Sequence, residues 1–285
     1  MMKNFEYVRP TNLDDALAVL EEKENVFLLA GGTDLLVRMK YDLIKPSCII
    51  DLKNISSLRT FEKRETWVFG ALTSIRHIEI SEALRDKMPF LCQAASSLGS
   101  VQIRNRGTLG GNLCNASPAA DMATMLLAMD SKVKTVSRNG DKVVPLEDFF
   151  TGPNNTILNK GEILTEIIVP EDIERFEGLY LKFGPRKAMD IGIVNVALLL
   201  DVDSKTKICR SARIALGAVA PTPIRAKQAE ALLSGKNLAP GLISEAAETA
   251  SSETNPISDF RASADYRREL VKALIKKGIT SVLNR

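Results

Sequence analysis

Residues 108–121 read TLGGNLCNASPAAD, and a shorter stretch of the same character, AGGTDLL, occupies residues 30–36. A glycine pair weakens a strand or helix, because it removes side-chain packing and adds backbone entropy that folding must take away. It is useful where the backbone turns sharply or brings N–H groups close to a ligand. Two such stretches imply one ligand held from two sides. The common nucleotide fingerprints are absent: no G-x-G-x-x-G follows a strand, which argues against a Rossmann domain, and no G-x-x-x-x-G-K-[ST] occurs, which removes the P-loop. What is left is a concavity of consecutive amides, helped by Thr33, Thr108 and Asn112, with no Lys or Arg inside either stretch. That chemistry suits a diphosphate held by neutral donors, and the missing Cβ of Gly111 is expected to make room for it. Either stretch alone could equally be a tight turn or bulge.

The surrounding pattern places the stretches on a scaffold. A helix is expected to open at Thr11, with Leu13, Ala16, Leu17 and Leu20 as its apolar stripe. VFLLA (26–30) reads as a buried strand running into the first glycine pair, followed by strands SCIIDL (47–52) and WVFGAL (67–72). SIRHIEISEALRDKM (74–88) and PFLCQAASSLGS (89–100) read as two helices, the second ending near Gly99. After the second glycine stretch, AADMATMLLAMD is a helix whose Met and Leu residues are core packing. Strands KVKTVS (132–137) and EILTEIIVP (162–170) close this half. From about Gly178 three strands follow one another (GLYLKF, IGIVNVALLLDVD and KICRSARIALGAV), and then three helical stretches, the last capped by Ser263. Strands first and helices after argue for an α+β unit with helices on one face of an antiparallel sheet. The boundary is placed within EDIERFEG (171–178), giving domains of residues 1–175 and 176–285.

Composition excludes several classes. A net charge of +3 with Lys and Arg spread along 285 residues gives no footprint for nucleic acid or an anionic membrane. The basic C-terminal stretch reads as an ordinary helix with a solvated face. No apolar signal core opens the chain, and the most apolar run, residues 191–203, is too short to span a bilayer and suits a buried strand. The four cysteines are far apart with no CxxC, which fits a reducing cytoplasm and neither a disulfide framework nor a metal cluster. The single histidine, His77, excludes a Ser-His-Asp triad elsewhere and a His-rich zinc site, and is read as structural or surface.

AGGTDLL and TLGGNLCNASPAAD, with the linking QIRNRGT (102–108), resemble the two FAD-binding motifs of the flavoprotein subunits of molybdenum hydroxylases, the xanthine, carbon monoxide and aldehyde or nicotinate dehydrogenase types. The resemblance runs from FEYVRPTNLDDAL to the helical C-terminus. It implies a two-lobed FAD-binding domain of the PCMH (vanillyl-alcohol-oxidase-like) type, with lobes of about 1–55 and 56–175, followed by a small C-terminal domain of three antiparallel strands and helices. Carried over residue by residue, Leu28, Leu29, Ala30, Gly31, Gly32, Thr33, Asp34 and Leu35 would wrap the FAD diphosphate, and Thr108, Leu109, Gly110, Gly111 and Asn112 would hold it from the other side. Asp121 would contact the cofactor's polar chain, although a helix start carries such a charge on its own account. Leu164 and Lys182 match positions that touch the flavin; Leu98 and Gly99 fall where the family lines the flavin pocket, and Gly99 also suits a plain helix end.

The resemblance further implies partner chains: a small subunit holding [2Fe–2S] clusters and a large one holding molybdopterin, for neither of which this chain has residues. FAD is expected to be non-covalent, since neither stretch holds a histidine and Cys114 has no activating neighbour in sequence. Cys114 reads as a small packing residue. With one histidine and no acid/base cluster, the chain is equipped to position a cofactor rather than to do chemistry alone. The implied role is electron transfer from the clusters through FAD to NAD⁺ or another acceptor. The alternatives are a stand-alone flavin-dependent oxidoreductase on the same fold, or a non-catalytic nucleotide-binding module.

Overall fold

The computed structural model describes residues 4–186 and 189–285. The chain begins with β1 (Glu6–Val8), α1 (Leu13–Glu22), β2 (Val26–Leu29), α2 (Leu35–Lys40) and β3 (Cys48–Asp51). The strands form a parallel sheet in the order β1-β3-β2, with central β3 buried at every residue. The first helix starts later than the expected Thr11. Asn12 is its cap, and its side-chain oxygen accepts from the Asp15 amide at 2.9 Å, while Ala16, Leu17 and Leu20 form the buried stripe as expected.

The second lobe holds β4 (Phe61–Lys63), β5 (Trp67–Gly70), α3 (Ile75–Ile80), α4 (Glu82–Lys87), α5 (Pro89–Ser97), α6 (Val101–Arg106), α7 (Leu109–Asn115), α8 (Asp121–Ala128), β6 (Lys132–Ser137), β7 (Gly140–Pro145), β8 (Phe150–Gly152), β9 (Asn155–Thr156) and β10 (Ile163–Val169). An antiparallel sheet in the order β4-β5-β10-β6-β7 backs the helices. Residues 74–88 are two helices rather than one, because Ser81 takes an extended conformation and caps α4 by accepting from the Leu84 amide. The second glycine stretch is itself helical. Thr108 caps α7, and the two glycines lie in its first turn.

The rest of the chain contributes β11 (Glu177–Phe183), β12 (Val194–Val202), β13 (Ile208–Gly217), β14 (Ile224–Arg225), α9 (Lys227–Leu233), β15 (Lys236–Asn237), α10 (Pro240–Ser252) and α11 (Ala264–Leu283). The three long strands pair antiparallel, and β14 and β15 add short pairings to β13. This is the α+β class expected, with one difference in layering. Along β12 the side chains alternate: Val194, Val196, Leu198 and Leu200 pack with α9–α11, whereas Ala197 and Leu199 join the core of the second lobe with residues of α5 and α8. Helices therefore cover both faces of this sheet, and a strand buried on both sides loses the polar alternation that would have revealed its second face.

The two lobes meet backbone to backbone. A Cβ at Gly31 would stand 2.0 Å from the carbonyl oxygen of Arg106, the last residue of α6, so only glycine permits this approach. Leu58, Leu72 and Ile163 complete the core under α1 and the parallel sheet. Because the obstacle at Gly31 is main chain that cannot rotate away, Gly31→Ala is expected to destabilise the protein by at least about 3 kcal/mol in denaturant unfolding. A change under about 1 kcal/mol would contradict this packing.

Candidate functional site

The contact at Gly31 places AGGTDLL and TLGGN on opposite walls of an open trough. Three segments follow one another along it, joined by shared residues. The first, about 300 Å³, is lined by Leu28, Ala30, Gly31, Gly32, Thr33, Asp34 and Leu35 on one side and by Leu98, Thr108, Gly111 and Asn112 on the other. The second, about 330 Å³, shares Asp34, Leu98 and Asn112 with the first and adds Gly99 and Asp121. The third, about 410 Å³, is lined by Lys182 and shares Met189 and Asp190 with the second. Four expected residues lie in packing positions instead. Leu29 is buried with Met39 and Ile49; Leu109 and Leu164 belong to the core of the second lobe; Gly110 abuts Ala71.

The two glycine stretches differ in what they offer. In the first, Gly32 has φ +78°, a left-handed conformation that turns the chain from β2 into α2. Among the described residues, the amides of Gly32, Thr33 and Asp34 donate to no protein acceptor. In the second, the amides of residues 109–112 are all engaged. Leu109 donates to Thr73 O and Gly110 to Ala71 O, both at 2.9 Å; Gly111 donates to Thr108 Oγ1 at 3.1 Å and Asn112 to Thr108 O at 2.9 Å. The amides of the second stretch are thus not free for the concavity expected there, because the α7 cap and the carbonyls of Ala71 and Thr73 engage them. The room at Gly111 is likewise taken by the cap: a Cβ there would lie 2.8 Å from Thr108 Oγ1. The second wall presents side chains. Asn112 Oδ1 is buried without a hydrogen-bond partner, an acceptor that suits the hydroxyls of a sugar or polyol chain.

At the deep end, Asp121 opens α8 and is 6% exposed. Lys182 Nζ stands 2.9 Å from its Oδ1 and 3.1 Å from its Oδ2, and donates also to Ser97 O at 3.1 Å. Tyr180 OH donates to Asp121 Oδ1 at 2.9 Å. Burial raises the Asp121 pKa, against the opposing pull of the Lys182 charge, and burial beside that carboxylate carries the Tyr180 phenol well above its ordinary value. Gly99, at φ +52°, ends α5 and turns the chain toward α6.

Three features escaped the sequence reading. Arg38 lines the first segment from α2, one turn after Asp34, so a cation does border the glycine stretches. Asn115 Nδ2 approaches Asp34 Oδ1 at 3.4 Å and links the two walls. Arg104, within QIRNRGT and 7% exposed, is bidentate to Glu79 of α3 (Nε–Oε2 2.6 Å, Nη2–Oε1 2.9 Å) and holds Leu98 O at 2.9 Å. It thus fixes a lining residue to the scaffold. Nothing local in the sequence announces the Glu79 partner, 25 residues away. Cys114 is exposed and opens onto the first segment, although the surrounding protein pushes its thiol pKa up to about 12. No group of three or more metal-ligating side chains occurs among the described residues.

These residues fit FAD. Free amides and Arg38 suit a diphosphate, Asn112 offers an acceptor for hydroxyls, and the trough has the extended shape of a dinucleotide. Comparison with known proteins agrees. The family described as the FAD binding domain in molybdopterin dehydrogenase matches residues 3–172, and the CO dehydrogenase flavoprotein C-terminal domain matches residues 180–282. The chain is 36% identical to the glyceraldehyde dehydrogenase medium chain of Sulfolobus acidocaldarius, over 98% of both. It is 32% identical to the xanthine dehydrogenase FAD-binding subunit of Escherichia coli O157:H7, over 97% of this chain and 95% of that one. Among solved structures, a chain of carbon monoxide dehydrogenase from Hydrogenophaga pseudoflava, in a form lacking the Mo-pyranopterin moiety, superposes with a TM-score of 0.94 at 32% identity, covering 99% of this chain and 98% of that one. A chain of quinoline 2-oxidoreductase from Pseudomonas putida 86 gives 0.93 at 29% identity, covering 100% and 98%.

The Glu79–Arg104 pair yields a pH dependence. Burial alone would raise the Glu79 pKa, but hydrogen bonds from Arg104 and Arg76 overcome it and hold the carboxyl below its ordinary value. Its contribution to stability is therefore full above the ordinary glutamate range and is lost as the pH falls through the depressed value. Glu79→Gln is expected to cost about 2–4 kcal/mol at pH 7 and to flatten the acid limb of the stability curve. Parallel curves for the two proteins from pH 7 to pH 3 would contradict this assignment.

Proposed function

Since the chain belongs to the FAD-binding subunits of the molybdenum hydroxylase family, we propose that it serves as an electron-transfer station, receiving electrons from [2Fe–2S] clusters of a small partner subunit and delivering them to NAD⁺ or another acceptor. It is an oxidoreductase subunit whose cofactor is FAD. The observation that carries the reading is the trough itself, which joins unengaged amides, an orphan acceptor and a buried ion pair in one continuous site. When bound, FAD supplies the redox chemistry, taking electrons singly and releasing them as a pair.

The residues of the chain position and tune. Gly32, Thr33 and Asp34 would hold the diphosphate through their amides, with Arg38 at hand for its charge. Thr108 keeps the start of α7 in shape, and Asn112 would hold the hydroxylated chain. Leu98 and Gly99 would line the ring pocket, and Lys182 would keep a positive charge there, fixed by Asp121 and Ser97 O. Leu29, Leu109, Gly110 and Leu164 would act through packing. A large molybdopterin subunit would oxidise the organic substrate; the family places molybdenum outside this chain, and the sequence offers no ligands for it. The protein would work in the cytoplasm. Its four cysteines are unpaired, and no helix among the described residues is long and apolar enough to cross a membrane.

Three measurements bear on this reading. Asn112→Leu removes a buried, unpartnered acceptor, so the FAD-free fold should be as stable or more stable while FAD occupancy falls about tenfold or more; unchanged flavin absorbance would count against Asn112. Acid precipitation should leave the flavin in the supernatant, because neither glycine stretch holds a histidine and Cys114 has no activating neighbour in sequence. Co-purification from the native source, followed by molybdenum, iron and flavin analysis, tests the assembly. A single chain that is free of both metals yet turns over an organic substrate would favour the stand-alone flavoenzyme.

A further inference from the structure

Asp121 and Lys182 come from the two separately matched regions of the chain, and several contacts bring them together. Strand β11 hangs on α5: the Tyr180 amide donates to Gln93 Oε1 at 3.0 Å, and Lys182 Nζ donates to Ser97 O at 3.1 Å, one helical turn on. Tyr180 and Lys182 are two residues apart on a strand, so both side chains leave on the same face, toward the start of α8. There Asp121 receives them on both oxygens. Its Oδ1 accepts from Tyr180 OH at 2.9 Å and lies 2.9 Å from Lys182 Nζ, while Oδ2 accepts from Lys182 Nζ at 3.1 Å. Among the described residues, the other charged groups of the third segment, Arg186 and Asp190, pair with each other. Asp190 Oδ2 accepts from the Arg186 amide at 2.9 Å, and its Oδ1 lies 3.5 Å from Arg186 Nη2.

We propose that Asp121 and Tyr180 are positioning residues that act on the flavin through Lys182, without touching the cofactor themselves. The inference rests on the FAD reading above and assigns the parts at the deep end of the trough. Asp121 borders the second segment, but both its oxygens already hold donors of this chain, and little of its surface is left for a cofactor hydroxyl. Lys182 lines the third segment and keeps 13% of its side chain exposed, so it is the member of the group placed to meet a ligand. Reduction puts negative charge on the ring system of a flavin, and a cation beside the ring favours that state over the oxidised one. A buried ammonium without a counter-charge neutralises instead of persisting. The carboxylate therefore keeps the lysine charged, and the Tyr180 hydroxyl keeps the carboxylate turned toward it.

The test is a double-mutant cycle on the full-length protein loaded with FAD, read as the flavin reduction potential by spectroelectrochemical titration, with flavin content followed by absorbance. Lys182→Met and Asp121→Asn should each favour oxidised over reduced FAD by about tenfold relative to the unaltered protein, a shift of about −30 mV for a two-electron couple. The double variant should show the same shift as either single one, because the pair acts as a unit. Tyr180→Phe keeps the ring and removes only the hydroxyl, which tests the same claim with little risk to the fold. It should move the potential in the same direction, and the effect should vanish when Lys182→Met is also present. Additive shifts would show that Asp121 acts on the cofactor directly and would overturn the proposal. So would an unchanged potential in Asp121→Asn, the mark of a helix-start charge with a structural role alone. Failure of the unaltered protein to take up FAD would overturn the FAD reading as well, whereas bound FAD with additive or absent shifts would leave that reading standing.

Discussion

The two lobes meet main chain to main chain at Gly31, where the Arg106 carbonyl leaves no room for a Cβ. Everything at the trough depends on it. It sets β2 and its turn beside the end of α6, and α7 begins three residues later, so the two walls are spaced by backbone rather than by adjustable side chains. Gly32 then turns away at φ +78°, leaving three amides free. Spacing by main chain gives a cleft that side-chain rotamer changes cannot close, as suits a site that must accept a long, flexible cofactor without rebuilding itself.

The two ends of the trough use different chemistry for the same purpose. At the glycine end, neutral dipoles face the solvent-filled cleft, where a charged ligand can meet them without first breaking an ion pair. At the deep end, Lys182, Asp121 and Tyr180 neutralise one another. A lysine alone in that position would be costly to desolvate; with a carboxylate and the Ser97 carbonyl as partners, the charge can be kept in one place. The Glu79–Arg104 pair extends the arrangement outward by pinning the Leu98 carbonyl, so a lining residue is tied to α3 through a buried fork of hydrogen bonds.

Much of the fold was legible because its signals are local. The stripe of α1, the strands VFLLA and EILTEIIVP, the Ser263 cap and the succession of three strands and three helices all declare themselves within a few residues. The fate of TLGGN was not legible. Glycine pairs argue against helix by propensity, but Thr108 supplies a cap, and the carbonyls of Ala71 and Thr73 supply acceptors from a distant segment, so tertiary contacts override the local preference. The same long-range acceptors decided which stretch keeps free amides. Asp121 and Lys182 were placed at the site by family likeness; their mutual contact, across 61 residues, has no local signature. Short β14 and β15 escaped for the same reason, since each depends on an edge of β13 formed elsewhere.

The alternation along β12 bears on how the chain can be divided. The two matched regions, 3–172 and 180–282, are neatly separable in sequence. In space the second region presents Tyr180, Ala197, Leu199 and Ala215 to the helices of the first, and Phe90 of α5 lies over Gly178. A ribosome that had finished only the first region would hold a lobe with the outer side of α5 and α8 still bare and apolar. Such a surface invites chaperones and self-association until the sheet arrives. Maturation of this subunit is therefore tied to completion of its C-terminal strands, and genetic dissection of the gene into two halves cuts through a shared core rather than at a joint.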